Sequence, residues 1–242
     1  MSKTAGWVKG VLAERRSETS TAVTLTFDVA DWPGHRAGQH LDLRLTSEDG
    51  YQASRSYSIA SPPEERAVGL TIERFPDGEV SPYLVDVMQP GDELELRGPI
   101  GGWFVWEADS TDPIFLIGGG SGIVPLMAML RHRAAAHGGA PARLLVSARN
   151  IDSLIYREEL EQLEGDAEIV RTFTREAPPG WEGYARRIDR AMLEEVAWPP
   201  ATRATTYICG PTAFVETAAD ALVSLGHDQA LIRTERFGPT GG

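Results

Sequence analysis

Apolar and polar positions alternate with a period near two over the first part of the chain. "WVKGVLAERR" (7–16), "AVTLTFDV" (22–29), "QHLDLRL" (39–45), "RSYSIAS" (55–61), "VGLTIERF" (68–75) and "DELELRGP" (92–99) are short runs rich in Val, Leu, Ile and Thr. Turn-forming stretches separate them: "DWPGHRAG", "SEDG", "SPPEE" and "QPGD". Six short strands punctuated by Gly and Pro predict a small antiparallel six-stranded β-barrel. One segment breaks the alternation. "SPYLVDVM" (81–88) spaces its apolar residues as a helix does and predicts a short helix between two barrel strands.

Beyond about residue 107 the pattern changes. "PIFLIGG" (113–119) is a continuous apolar run of the buried-strand kind, and "IVPLMAMLRHRAAAHG" reads as a helix closed by Gly138. "ARLLVSAR", "AEIVRTFT", "ATTYICGP" and "ALIRTERFG" are further strands. "LIYREELEQLEG" and "TAFVETAADALVSLG" are further helices. Alternating strand and helix predicts a doubly wound parallel sheet, with ligands at the carboxyl ends of its strands. The expected division is a barrel domain over 1–107 and an α/β domain over 108–242, with the linker near "EADSTDP".

Composition narrows the classes. The chain has 242 residues, 42% hydrophobic and 24% charged, which suits a soluble globular protein with a sizeable core. Its net charge of −12 argues against nucleic-acid binding, which needs a basic surface. No apolar run reaches the ~20 residues of a membrane span, and "MSKTAGWVKG" lacks the apolar centre of a signal peptide. A single cysteine, Cys209, excludes an internal disulfide and any cysteine-ligated iron–sulfur cluster within this chain. No metal site is expected, and the location expected is cytoplasmic.

The chemistry concentrates in four places. "GGGSGIVP" (118–125) follows a strand and opens a helix, so Gly120, Ser121 and Gly122 let the backbone approach a pyrophosphate. The spacing is Gly120-x-Gly122-x-x-Pro125, with proline where the usual fingerprint has its third glycine. "RSYSIAS" puts a cation, an aromatic ring and hydroxyls on a strand that would ordinarily face a core. "ICGP" brings Cys209, Gly210 and Pro211 to a strand end. "TERFG" carries Glu235-x-Phe237, with five residues after the ring.

In that order, "RSYS", "GGGSGIVP" and "YICGP" resemble the ferredoxin–NADP reductase family of flavoproteins, and the resemblance covers nearly the whole chain. It implies an FAD-binding antiparallel barrel followed by an NAD(P)-binding α/β domain. The implied chemistry is hydride transfer between nicotinamide and flavin, then one-electron exchange with a redox partner. Carried over, Arg55 of Arg55-Ser56-Tyr57-Ser58 pairs with the flavin pyrophosphate, Tyr57 lies on the isoalloxazine, and Ser58 sits near N5. Gly78-Glu79-Val80-Ser81 corresponds to the family's Gly-x-x-Ser phosphate motif, and "TIERF", with Ile72 and Glu73, borders the flavin mostly through its backbone. Cys209 is placed beside the nicotinamide in a steric and polarising role. Phe237 is placed on the flavin's other face, and Glu235 orients Ser58 or Cys209 or relays a proton.

The phosphate that separates NADPH from NADH needs cations. Where an NADH site places an acid, this chain has Ser147 and Arg149. "FTREAP" adds Thr174 and Arg175, and "YARRI" adds Arg187. These favour NADPH over NADH. With no fused iron–sulfur domain, electrons are expected to leave to a separate protein, by default a ferredoxin. Two other readings compete: reduction of free flavin or another small acceptor, and a non-catalytic binding module. Oligomeric state is open.

Overall fold

The computed structural model describes residues 6–238, and the sequence readings at 1–5 and 239–242 lie outside them. All six predicted barrel strands are present: β1 (Val8–Ser17), β2 (Ala22–Val29), β3 (His40–Thr46), β4 (Gln52–Ser58), β5 (Val68–Glu73) and β6 (Glu93–Ile100). They form one antiparallel sheet in the order β4-β3-β6-β1-β2-β5. An antiparallel bridge between Ile59 and Leu70 brings β4 back to β5 and closes the curve. The alternation on the strands is the reason. Leu25, Phe27, Leu41, Leu43, Leu70 and Ile72 turn inward and are fully buried, so the apolar stripe of each strand lines one shared interior. The short helix between β5 and β6 is one wide turn over Tyr83–Val87, in which Met88 N donates to Tyr83 O across five residues.

The second sheet is entirely parallel. It comprises β7 (Ile114–Gly119), β8 (Ala142–Ala148), β9 (Glu168–Phe173), β10 (Thr205–Pro211) and β11 (Ile232–Phe237), in the order β11-β10-β7-β8-β9. The order reverses between β7 and β10, which makes the crevice at their carboxyl ends the topological switch point. The helices are α1 (Ile123–Ala135), α2 (Arg157–Gln162), α3 (Arg190–Val196) and α4 (Thr212–Ser224). None of the described helices is long and apolar enough to cross a membrane.

Two sequence expectations are corrected, and one helix is added. Helix α1 has Ala136 as its C-cap, followed by His137 in the left-handed conformation, φ 52°, with Gly138 N donating back to Arg133 O; the left-handed closing position is the histidine, not the glycine. The helix expected from Leu154 begins only at Arg157, because Leu154, Ile155 and Tyr156 are buried between the domains instead. Tyr156, at φ 62°, reaches the Thr71 hydroxyl of β5. Helix α3 was not predicted at all; Asp189 caps it by accepting from Met192 N.

The halves share a core. Ala22, Ala37 and Ala60 from the barrel side pack with Trp106, Met127 and Leu130 in one apolar cluster. Arg131 of α1 crosses the seam to donate to Ala60 O at 2.6 Å while paired with Glu159 at 2.5 Å. The nucleotide-side crevice is therefore held against the barrel by buried contacts.

Candidate functional site at the seam of the two sheets

The glycine turn after β7 packs under Cys209 at the end of β10. A Cβ on Gly122 would lie 2.5 Å from the Cys209 carbonyl carbon and 2.8 Å from the Gly210 nitrogen. Only glycine allows that approach. Gly120, at φ 56°, takes the left-handed turn. Phe214, in the first turn of α4, lies across the crevice: a Cβ on Gly210 would be 2.7 Å from its ring and one on Gly119 3.0 Å. The glycines thus do two jobs, letting the turn press on the β10 backbone on one side and seating an aromatic ring on the other. Pro125 is buried in the first turn of α1, where no N–H is required.

The barrel meets this turn directly. Gly120 faces Glu73 of β5, whose carboxylate would be 3.8 Å from a Cβ there. Tyr57 and Ser58 are half-buried at the end of β4, while Arg55 and Ser56 are exposed. Ser56 donates to Asp42 at 2.6 Å, so its side chain is committed away from the crevice. Burial pushes the Tyr57 phenol up to about 12, against a smaller opposing effect of Arg55, so the ring is neutral at ordinary pH. Ile72 and Val80 are inside the barrel core and present only backbone. Ser81 is buried and accepts from Phe75 N at 3.0 Å, which closes the Gly78–Ser81 turn.

Cys209 and Glu235 are register partners on β10 and β11. Burial raises the Cys209 thiol well above its ordinary range, and the neighbouring Glu235 carboxylate adds to the rise. The group therefore stays a thiol at neutral pH. Iodoacetamide at pH 8 should leave the folded protein unmodified and alkylate it once unfolded in urea; rapid alkylation of the native chain, read by mass spectrometry, would refute this. Glu235 Oε1 is 3.4 Å from His40 Nδ1, and His40 is the register partner of Ser58. Ser58, His40, Glu235 and Cys209 therefore form one line across the seam. Sequence reading missed His40. Its only signal was an imidazole at the start of an alternating strand. Phe237 ends β11 beside Pro211 and packs, partly buried, on the shared core.

The cations gather at the far end of the parallel sheet. Arg149 and Arg175 follow β8 and β9 and are joined through backbone, Arg175 N donating to Arg149 O at 2.9 Å. Arg187 leaves a segment bridged to β9 through Thr172 and Tyr184. All three are exposed, and none has a carboxylate within ion-pair distance among the described residues. Ser147 is buried at the end of β8, and the Thr174 hydroxyl donates to Ala148 O at 3.3 Å.

The residues present fit the two expected groups. Glu235 Oε2 is buried without a hydrogen-bond partner, and the exposed, left-handed Gly120 stands just before the start of α1. Residues 11–105 match the family model described as an oxidoreductase FAD-binding domain, and residues 116–220 match the one described as an oxidoreductase NAD-binding domain. The chain belongs to the ferredoxin reductase-like family of flavoprotein oxidoreductases. Its FAD- and NAD(P)-binding domains account for the barrel and the doubly wound sheet in turn.

Among family relatives, a flavohemoprotein of Bacillus cereus is 32% identical over 213 residues, 84% of this chain and 53% of that one. The glycine betaine monooxygenase reductase subunit of Chromohalobacter salexigens is 31% identical over 211 residues, 85% of this chain and 56% of its own. The chain thus spans about half the length of these relatives. A crystal structure of the FAD/NAD-binding domain of nitric oxide dioxygenase from Vibrio cholerae superposes with a TM-score of 0.85 at 24% identity, covering 98% of this chain and 100% of that one.

Proposed function

We propose that this chain passes electrons from NADPH, by way of FAD, to a separate redox protein such as a ferredoxin. The observation that carries the reading is the meeting of two sites at one seam: the Gly120 turn against Glu73, and Glu235 between His40 and Cys209. FAD, when bound, supplies the conversion between a two-electron donor and a one-electron acceptor.

The chain's own residues position and polarise. Arg55 offers a two-pronged donor to the FAD pyrophosphate, with the Gly78–Ser81 turn beside it. Tyr57 supplies a neutral ring face and Ser58 a hydroxyl next to it. Gly120, Ser121 and Gly122 present backbone N–H groups to the dinucleotide. Cys209, Gly210 and Pro211 shape the wall where the nicotinamide docks, and Phe237 borders the same crevice. Holding the two reacting groups in one aligned pose supplies most of the acceleration. The domain boundary is taken at 107/108, and a cytoplasmic setting fits the lone buried cysteine.

Preference for NADPH rests on Arg149, Arg175 and Arg187, three uncommitted guanidinium groups at strand ends that lack an acid. Arg149→Ala and Arg175→Ala should each raise the KM for NADPH roughly tenfold while leaving that for NADH unchanged, since each removes a charge-assisted contact to the extra phosphate. Steady-state kinetics with both nucleotides decides; equal effects on the two would sink the assignment. The relative named as a monooxygenase reductase subunit supports a protein acceptor. Reduction of cytochrome c that depends on added ferredoxin separates that reading from reduction of free flavin.

A further inference from the structure

Arg55, assigned above to the FAD pyrophosphate, already has an anionic partner. Its Nη2 is 3.1 Å from Glu79 Oε2, and the Tyr51 hydroxyl donates to Glu79 Oε1 at 3.1 Å. Glu79 belongs to the Gly78–Ser81 turn, the segment expected beside the same pyrophosphate. That turn is held from behind, with Gly78 N donating to Phe75 O at 3.0 Å and Phe75 N to Ser81 Oγ at 3.0 Å. Its backbone is therefore fixed, and the Glu79 side chain reaches outward to Arg55 from a set position. Both side chains are about half exposed, 53% and 54%, so the pair is open to exchange.

A carboxylate on a guanidinium uses the same donors that a phosphate would use. It also adds negative charge where two more negative charges must settle, in a chain already at −12. We propose that Glu79 is a built-in competitor of FAD: its carboxylate stands in for phosphate on Arg55 and lowers the affinity for the cofactor. Binding is then an exchange. Arg55 turns from Glu79 to the pyrophosphate, and Tyr51 remains as a donor to the released carboxylate. A site of this kind takes up FAD reversibly and responds to its supply. The inference rests on the assignment of Arg55 to the FAD pyrophosphate, and the test separates the two.

The flavin-free full chain is titrated with FAD, following fluorescence quenching, as wild type, Glu79→Gln, Arg55→Gln and the double variant. Glu79→Gln is expected to lower the Kd roughly two- to fivefold, as loss of an exposed competing charge allows. Arg55→Gln should raise it about tenfold or more. In the Arg55→Gln background, removing Glu79 should gain less, because there is no guanidinium left to compete for. Riboflavin, which has no phosphate, should bind wild type and Glu79→Gln equally. If Arg55→Gln leaves FAD binding unchanged, the assignment of Arg55 fails and takes the competitor role with it. If Arg55→Gln weakens binding but Glu79→Gln does not tighten it, the assignment stands and the competitor role is overturned. An equal gain from Glu79→Gln in both backgrounds also overturns it, in favour of plain charge repulsion. Circular dichroism of all four proteins reports whether each remains folded.

Discussion

Gly122→Ala is expected to lower the melting temperature by roughly 6–12 °C, the shift that a loss of about 3 kcal/mol produces in a chain of this size. The added Cβ would meet the Cys209 carbonyl carbon at 2.5 Å and the Gly210 nitrogen at 2.8 Å, with the carbonyl oxygen closer still. These are backbone atoms in the middle of a parallel sheet, so no rotamer change relieves the contact. Either the turn lifts or β10 shifts. Both separate Cys209 from the glycine turn, so dinucleotide binding should fall with stability. Gly139→Ala serves as the comparison. Nothing lies within 4 Å of the position its Cβ would take, and its melting temperature should stay within about 2 °C of wild type. Differential scanning calorimetry settles the point; a Gly122→Ala protein as stable as Gly139→Ala would show that the approach of turn to strand is not required.

Tyr57→Ala is expected to weaken FAD binding roughly 10- to 100-fold, the loss that follows when an aromatic platform is removed from a stacked base-like ring. Tyr57→Phe should retain the cofactor. The phenol hydroxyl has no partner among the described residues, and burial holds it neutral, so the ring face rather than the hydroxyl is the useful part. Flavin content after gel filtration and a fluorescence titration of the flavin-free chain read the effect. Ser58→Ala is the complementary case. It should keep the flavin bound and slow reduction by NADPH about tenfold or more in anaerobic stopped flow, as loss of one charge-directed hydrogen bond implies. Unchanged flavin content in Tyr57→Ala would remove the stacking role, and wild-type reduction by Ser58→Ala would remove the role of that hydroxyl.

Most of the architecture was readable from periodicity. Strands β2, β3 and β6 alternate because one face is wet and the other buried, and β7, β8 and β10 at the centre of the parallel sheet are almost continuously buried because helices cover them. The errors have local physical causes. Leu154, Ile155 and Tyr156 continue a helical pattern with α2, yet the space between the domains claims all three, and a left-handed Tyr156 breaks the helix to let its hydroxyl reach Thr71. Helix α3 is short, and its start depends on an aspartate cap rather than on a long apolar stripe.

The sequence by itself determined the order of elements, the glycine turn and the polar strand around Tyr57. Each is written in neighbouring residues, through the period of two or 3.6 and through the freedom of glycine. Only the tertiary structure decided what meets at the seam. His40 reaches Glu235, Glu235 lies beside Cys209, and Glu79 occupies Arg55 because sheet order and register bring distant stretches together. Pairing between strands depends on which edge closes on which, and the side chains themselves carry no local trace of it.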